Sequence, residues 1–126
     1  MRRIGLLTAT VLFLFCLGCG TGSNPRELQS ILLTPSPADG GVQYVATGNY
    51  NKAPLTLSPL TVFWEIPLHQ GEAGPTITQN GLATCTAGAP GTFMVVTLAP
   101  QDPNIPVAIP LPPVPMVLGE AFITCP

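Results

Sequence analysis

The sequence predicts an all-β sandwich, and three observations predict it. Pro accounts for 16 of the 126 residues and recurs every few positions, where it removes a backbone donor and clashes with the preceding turn of any helix. No stretch sustains apolar residues at a 3.6-residue period between a start and a stop signal. Instead, short segments alternate apolar and polar residues between Gly, Pro and Asn, and about seven such segments in roughly 100 residues is the arithmetic of two packed sheets. With 46% hydrophobic and 8% charged residues, the chain has too much to bury for a solvated coil, and its length suits one domain.

The elements follow in order. Arg2 and Arg3 precede an apolar run from Ile4 to Leu17, shorter than the about 20 residues of a bilayer span and sized for a signal-peptide core. It ends in Cys16-Leu17-Gly18-Cys19-Gly20, which resembles a bacterial lipoprotein signal. That resemblance implies removal of residues 1–18 as a signal peptide and acylation of Cys19 as the first mature residue, a lipid anchor in a membrane. Cys16 stands three residues before Cys19, where that family usually has Leu. The alternative is an ordinary signal peptide cut a few residues later; both readings export the protein. Residues 19–27, rich in Gly, Thr, Ser and Asn, suit a flexible tether.

The folded domain is expected over 28–126. Leu28 to Leu33 forms a first strand closed by Pro35 and Pro37. Val42 to Tyr50 alternates so that Val42, Tyr44, Ala46, Gly48 and Tyr50 share a buried face. Leu60 to Ile66 puts Val62, Trp64 and Ile66 on one side, with Trp64 as the core anchor. Thr76–Gln79 and Leu82–Cys85 form a hairpin turned at Asn80-Gly81. Gly91–Ala99 and Gly119–Cys125 supply the last strands.

Between these last two, residues 100–118 read as a Pro-rich insertion, polyproline-like and unfit for a central strand. Gly91–Ala99 is apolar on both faces, Phe93 and Val95 on one and Met94, Val96 and Leu98 on the other, so something covers the second face. Residues 105–118 are the nearest candidate. They are read first as a strap over their own domain, and second as an arm offered to a partner. The second reading makes Met94, Val96, Leu98, Ile105, Val107 and Ile109 the candidate partner contact.

Of the four cysteines, Cys16 leaves with the signal and Cys19 takes lipid, so Cys85 and Cys125 remain to pair in an oxidising compartment. The bridge would close a loop of roughly 40 residues, worth roughly 4 kcal/mol in the chain-entropy model. A zinc site lacks partners, since His69 is the single histidine and zinc takes four ligands.

Leu28-Gln29-Ser30-Ile31, Tyr44-Val45-Ala46-Thr47-Gly48-Asn49-Tyr50, Trp64, Asn80-Gly81-Leu82 and Gly91-Thr92-Phe93-Met94-Val95, in that order across residues 28–98, resemble the bacterial Ig-like group 2 domain. The resemblance implies an Ig-like β-sandwich and adhesion-type roles at the cell surface. The Pro-rich insertion and the extra strand ending at Cys125 depart from the usual repeat. So do the cysteines: in antibody domains one precedes the Trp, whereas Trp64 precedes both here, so the pair is not expected to be the familiar pin between sheets.

Chemistry is sparse. With signal removal only Arg26 and Lys52 remain against Glu27, Asp39, Glu65, Glu72, Asp102 and Glu120, so the domain is mildly acidic and lacks a basic surface for nucleic acid. His69 sits in a Pro/Gly-rich loop, and no Gly-x-Ser-x-Gly elbow accompanies it. Glu65 and Glu72 could be a glycosidase pair but read better as solvated charges. Asp39 and Asp102 are too far apart in sequence for a calcium loop. Neither Gly40-Gly41 nor the Gly18–Gly22 run has the strand-to-helix context of a phosphate loop. No catalytic residue, cofactor or metal is expected. The expectation is a non-catalytic exported lipoprotein of the cell envelope that binds a protein or glycan partner. The alternatives are a structural accessory subunit of an envelope complex and a carbohydrate-binding module drawing on Tyr44, Tyr50, Phe63 and Trp64.

Overall fold

Alternation in the sequence becomes eight strands in the structure, a computed structural model that describes residues 24–126. The expected signal peptide and Cys19 lie outside the described residues. The strands are β1 (Leu28–Ala38), β2 (Gly41–Tyr50), β3 (Thr56–Leu57), β4 (Phe63–Glu65), β5 (Thr76–Ile77), β6 (Leu82–Thr84), β7 (Gly91–Pro100) and β8 (Met116–Cys125). One sheet runs β1-β2-β6-β5, with β3 also on β2, and the other runs β4-β7-β8. Every pairing is antiparallel. With β3 set aside, this is the A-B-E-D and C-F-G order of an Ig sandwich, and Trp64 stands on the strand that occupies position C.

The core is built from the faces that alternation assigned. Tyr44, Ala46 and Tyr50 of β2 are buried, as are Val62 and Trp64, and they meet Ile31, Leu33, Val95, Ala99 and Ile123 in one cluster. Trp64, 5% exposed, lies with its ring centroid 6.4 Å from that of Tyr44. The turn between β5 and β6 is closed by the Gly81 N–H donating to the Thr78 carbonyl at 3.0 Å. Gly81 has a φ of +82°, and a Cβ there would fall 2.5 Å from the Tyr44 carbonyl oxygen and 2.9 Å from the Trp64 ring. Only glycine combines that backbone region with that space.

Four boundaries correct the expectations. The first strand does not close at Pro35 and Pro37 but runs through them, pairing Pro35 with Tyr44 and Pro37 with Val42. The reason is position: β1 is a sheet edge, where the missing N–H groups of proline face away from the ladder. The last strand starts at Met116, so the Pro-rich connection shrinks from 100–118 to 101–115. Within Leu60 to Ile66 only Phe63–Glu65 pairs, and Leu60 instead donates its N–H to the Ala46 carbonyl at 2.7 Å. The short strand β3 was not expected at all.

Cys85 and Cys125 form the disulfide, with Cα atoms 5.6 Å apart. It runs from one sheet to the other but, as expected, is not the familiar pin, which joins the strands at positions B and F. Cys85 follows directly on β6 and Cys125 ends β8, so the bridge staples one end of the sandwich, where Gly91 pairs with Cys125.

Candidate functional site

In a strand, residues directly opposite one another across the ladder point to the same side. Trp64, Thr97 and Gly119 form one such row facing the core, all buried. The adjacent rows therefore face outward: Phe63-Leu98-Leu118, then Glu65-Val96-Glu120, then Met94-Phe122. These rows make an apolar outer face on the second sheet. Phe122 is 66% exposed and Leu118 49% exposed, with Met94, Leu98 and Phe63 half-buried around them. Val96, 8% exposed, lies between the two glutamates.

The structure thus brings Met94, Val96 and Leu98 together on one surface and sends the rest of the expected contact elsewhere. Ile105 and Val107 line a cleft of about 470 Å³ with Leu28, Tyr50, Leu60 and Ala99, and Val107 packs against the core. Ile109 is 73% exposed. The Pro-rich connection does fold back on its own domain, but Ile105 and Val107 cap one end of the sandwich instead of covering the Met94-Val96-Leu98 face. Its base is tied by the Gln101 N–H donating to the Pro115 carbonyl at 2.9 Å. Leu118 and Phe122, missing from the expected contact, are the most exposed apolar residues on the outer face of β7 and β8. The signal available was the alternation Leu118-Glu120-Phe122, but Ile123 beside Phe122 is equally apolar, and local sequence does not say which of the two faces in.

The edges of the sheets differ. On β4, the Trp64 N–H and C=O point away from β7 and are taken by the Gln79 side-chain amide, at 3.2 and 3.1 Å. Since hydrogen-bonded and non-hydrogen-bonded pairs alternate along an antiparallel ladder, Thr97, opposite Trp64, bonds Gly119 on its other side. The backbone groups of Leu118, Glu120 and Phe122 then turn away from β7 to the open side of β8. The Phe122 carbonyl accepts the Tyr44 hydroxyl at 2.8 Å; no other hydrogen bond to these groups forms among the described residues. Burial raises the Tyr44 phenol above its ordinary value of 10.0.

The remaining polar candidates are scattered. Glu72 accepts the His69 N–H at 2.9 Å within its own loop, Glu65 is on the outer face of β4, and Asp102 accepts the Asn104 N–H at 2.8 Å within the Pro-rich connection. Tyr44, Tyr50 and Trp64 are buried, so of the four aromatics named for sugar binding only Phe63 reaches the surface in part. Arg26 stacks 3.6 Å from the Tyr50 ring centroid and donates to the Pro54 carbonyl at 2.6 Å, pinning the chain where it enters β1. No family model, curated protein or solved structure matches this chain.

Proposed function

We propose that this chain is a non-catalytic exported lipoprotein, anchored through Cys19, whose Ig-like domain acts as a binding or adhesion module in the bacterial cell envelope. The observation that carries the reading is the outer face of the second sheet, where Phe122 and Leu118 stand exposed beside Met94 and Leu98. Large exposed apolar side chains gathered on one sheet face, here around Glu65 and Glu120, mark an interaction surface. The Cys85–Cys125 bridge supports export, because structural disulfides belong to oxidising compartments. The Arg2-Arg3 start, the apolar run and Gly18-Cys19 support the anchor, and the ordered matches over residues 28–98 support the group 2 family.

An accessory subunit of an envelope complex is the second reading, favoured by the open edge of β8. A carbohydrate-binding module draws less support, since its proposed platform is mostly core.

Two measurements on protein expressed in its own envelope test the proposal. Intact mass without reduction and after alkylation is expected to show an acylated Cys19 and no reactive thiol. A photo-reactive residue at Phe122 is expected to give a dominant protein adduct that the same residue at Leu32, on the other sheet, does not give. An unlipidated chain, or equal labelling from both positions, overturns the reading.

A further inference from the structure

With the two-residue β3 set aside, the two sheets have four outer edges, and three are blunted. Proline at 35 and 37 removes donors from β1, β5 is two residues long, and Gln79 satisfies the backbone of Trp64 on β4. These are recognised ways of preventing a strand from pairing with a stranger. The fourth edge, β8, is blunted only at the Phe122 carbonyl, which accepts the Tyr44 hydroxyl. It is ten residues long, holds no Pro, Lys or Arg between Met116 and Cys125, and turns the backbone groups of Leu118, Glu120 and Phe122 outward.

We propose that β8 is a docking edge that accepts one extended strand from a partner protein, adding a fourth strand to the β4-β7-β8 sheet. The partner strand carries apolar, basic and apolar side chains at alternate positions on one face. This rests on the binding-module reading above and specifies how that module binds. Main-chain hydrogen bonds along β8 supply the affinity, and alternate side chains supply the choice of partner. On the outer face Glu120 stands between Leu118 and Phe122, with Glu65 across Val96, about 10 Å away by strand spacing. A Lys or Arg opposite Glu120 pairs with that carboxylate, while apolar residues two positions to either side meet Leu118 and Phe122. A second copy of the chain fits worse: the register that pairs Leu118 with the Phe122 of another copy sets Glu120 directly opposite itself, and like charges so placed are destabilising.

The test is amide hydrogen exchange on the disulfide-bonded protein with two nine-residue peptides. One alternates Thr with Val, Lys and Val, and the other has Glu in place of Lys. At a concentration about ten times its Kd, the Lys peptide is expected to slow exchange at Leu118, Glu120 and Phe122 by about tenfold, and the Glu peptide is expected to leave these amides unchanged. Glu120→Lys is expected to exchange the two preferences. Glu120→Pro, tolerated because this N–H points away from β7, is expected to abolish protection by either peptide; should that variant fail to fold, Glu120→Lys still decides. The proposal is overturned if neither peptide slows these amides, or if both do so equally. It is also overturned if the amides slow without peptide as protein concentration rises and sedimentation shows a doubled mass, the result expected of a second copy. A flat peptide result alongside a specific Phe122 adduct in the envelope refutes the edge and leaves the binding module standing. Peptide protection without an envelope adduct does the reverse.

Discussion

The Tyr44 hydroxyl donates to the Phe122 carbonyl at 2.8 Å across 78 residues of sequence, tying the buried face of β2 to the strand that forms the open edge of the opposite sheet. Tyr44→Phe keeps the ring in the core and removes this single bond. The expected cost is about 1 kcal/mol, or a fall in Tm of about 4–8 °C for a domain of this size, read by calorimetry.

The same hydroxyl makes stability pH-dependent at alkaline pH. Burial raises the folded phenol above its ordinary 10.0, so the folded state holds the proton longer than the unfolded state. Its contribution is fully present below pH 10 and is lost as pH rises through and beyond that value. Urea unfolding from pH 8 to 11 is expected to show a steeper alkaline decline in the wild type than in Tyr44→Phe.

Gly119 of β8 faces Ile31 of β1 from the opposite sheet at close range. A Cβ there would lie 2.5 Å from the Thr97 hydroxyl and 2.9 Å from the Ile31 Cβ. Gly119→Ala is expected to destabilise by about 1–3 kcal/mol through overpacking, seen as a lower urea midpoint at an unchanged slope.

Reduction of the Cys85–Cys125 bridge is expected to cost about 2–4 kcal/mol. The double variant Cys85→Ser/Cys125→Ser is expected to melt at the temperature of the reduced wild type and to be insensitive to added reductant.

Two pairs of residues separate docking from folding. Val107→Asp is expected to destabilise by more than about 1 kcal/mol by placing a charge against the core, whereas Ile109→Ser is expected to stay within about 0.5 kcal/mol. Phe122→Ser and Leu118→Ser are likewise expected to leave Tm nearly unchanged while abolishing the envelope adduct formed from a photo-reactive residue at Met94.

Much of the fold was legible because strand alternation is local. Val42 to Tyr50 carried its buried face in its own spelling, Trp64 was the evident anchor, and Asn80-Gly81 marked its turn. Of the site, Met94, Val96 and Leu98 were legible as a face needing a cover. Leu118 and Phe122 were not, because Phe122 and Ile123 compete for the interior and only pairing with β7 decides between them.

The sequence by itself therefore determined an all-β chain with its strand faces, since period is a property of the chain alone, whereas the pairing of Cys85 with Cys125 was reached only through the resemblance that sets Cys16 and Cys19 apart. Tertiary structure alone decided that β1 continues through Pro35 and Pro37, that Ile105 and Val107 cap an end of the sandwich, and that β8 is left with an open side. Each of these depends on which strand lies next to which, and strand order arises from contacts between residues far apart in sequence, which no local pattern encodes.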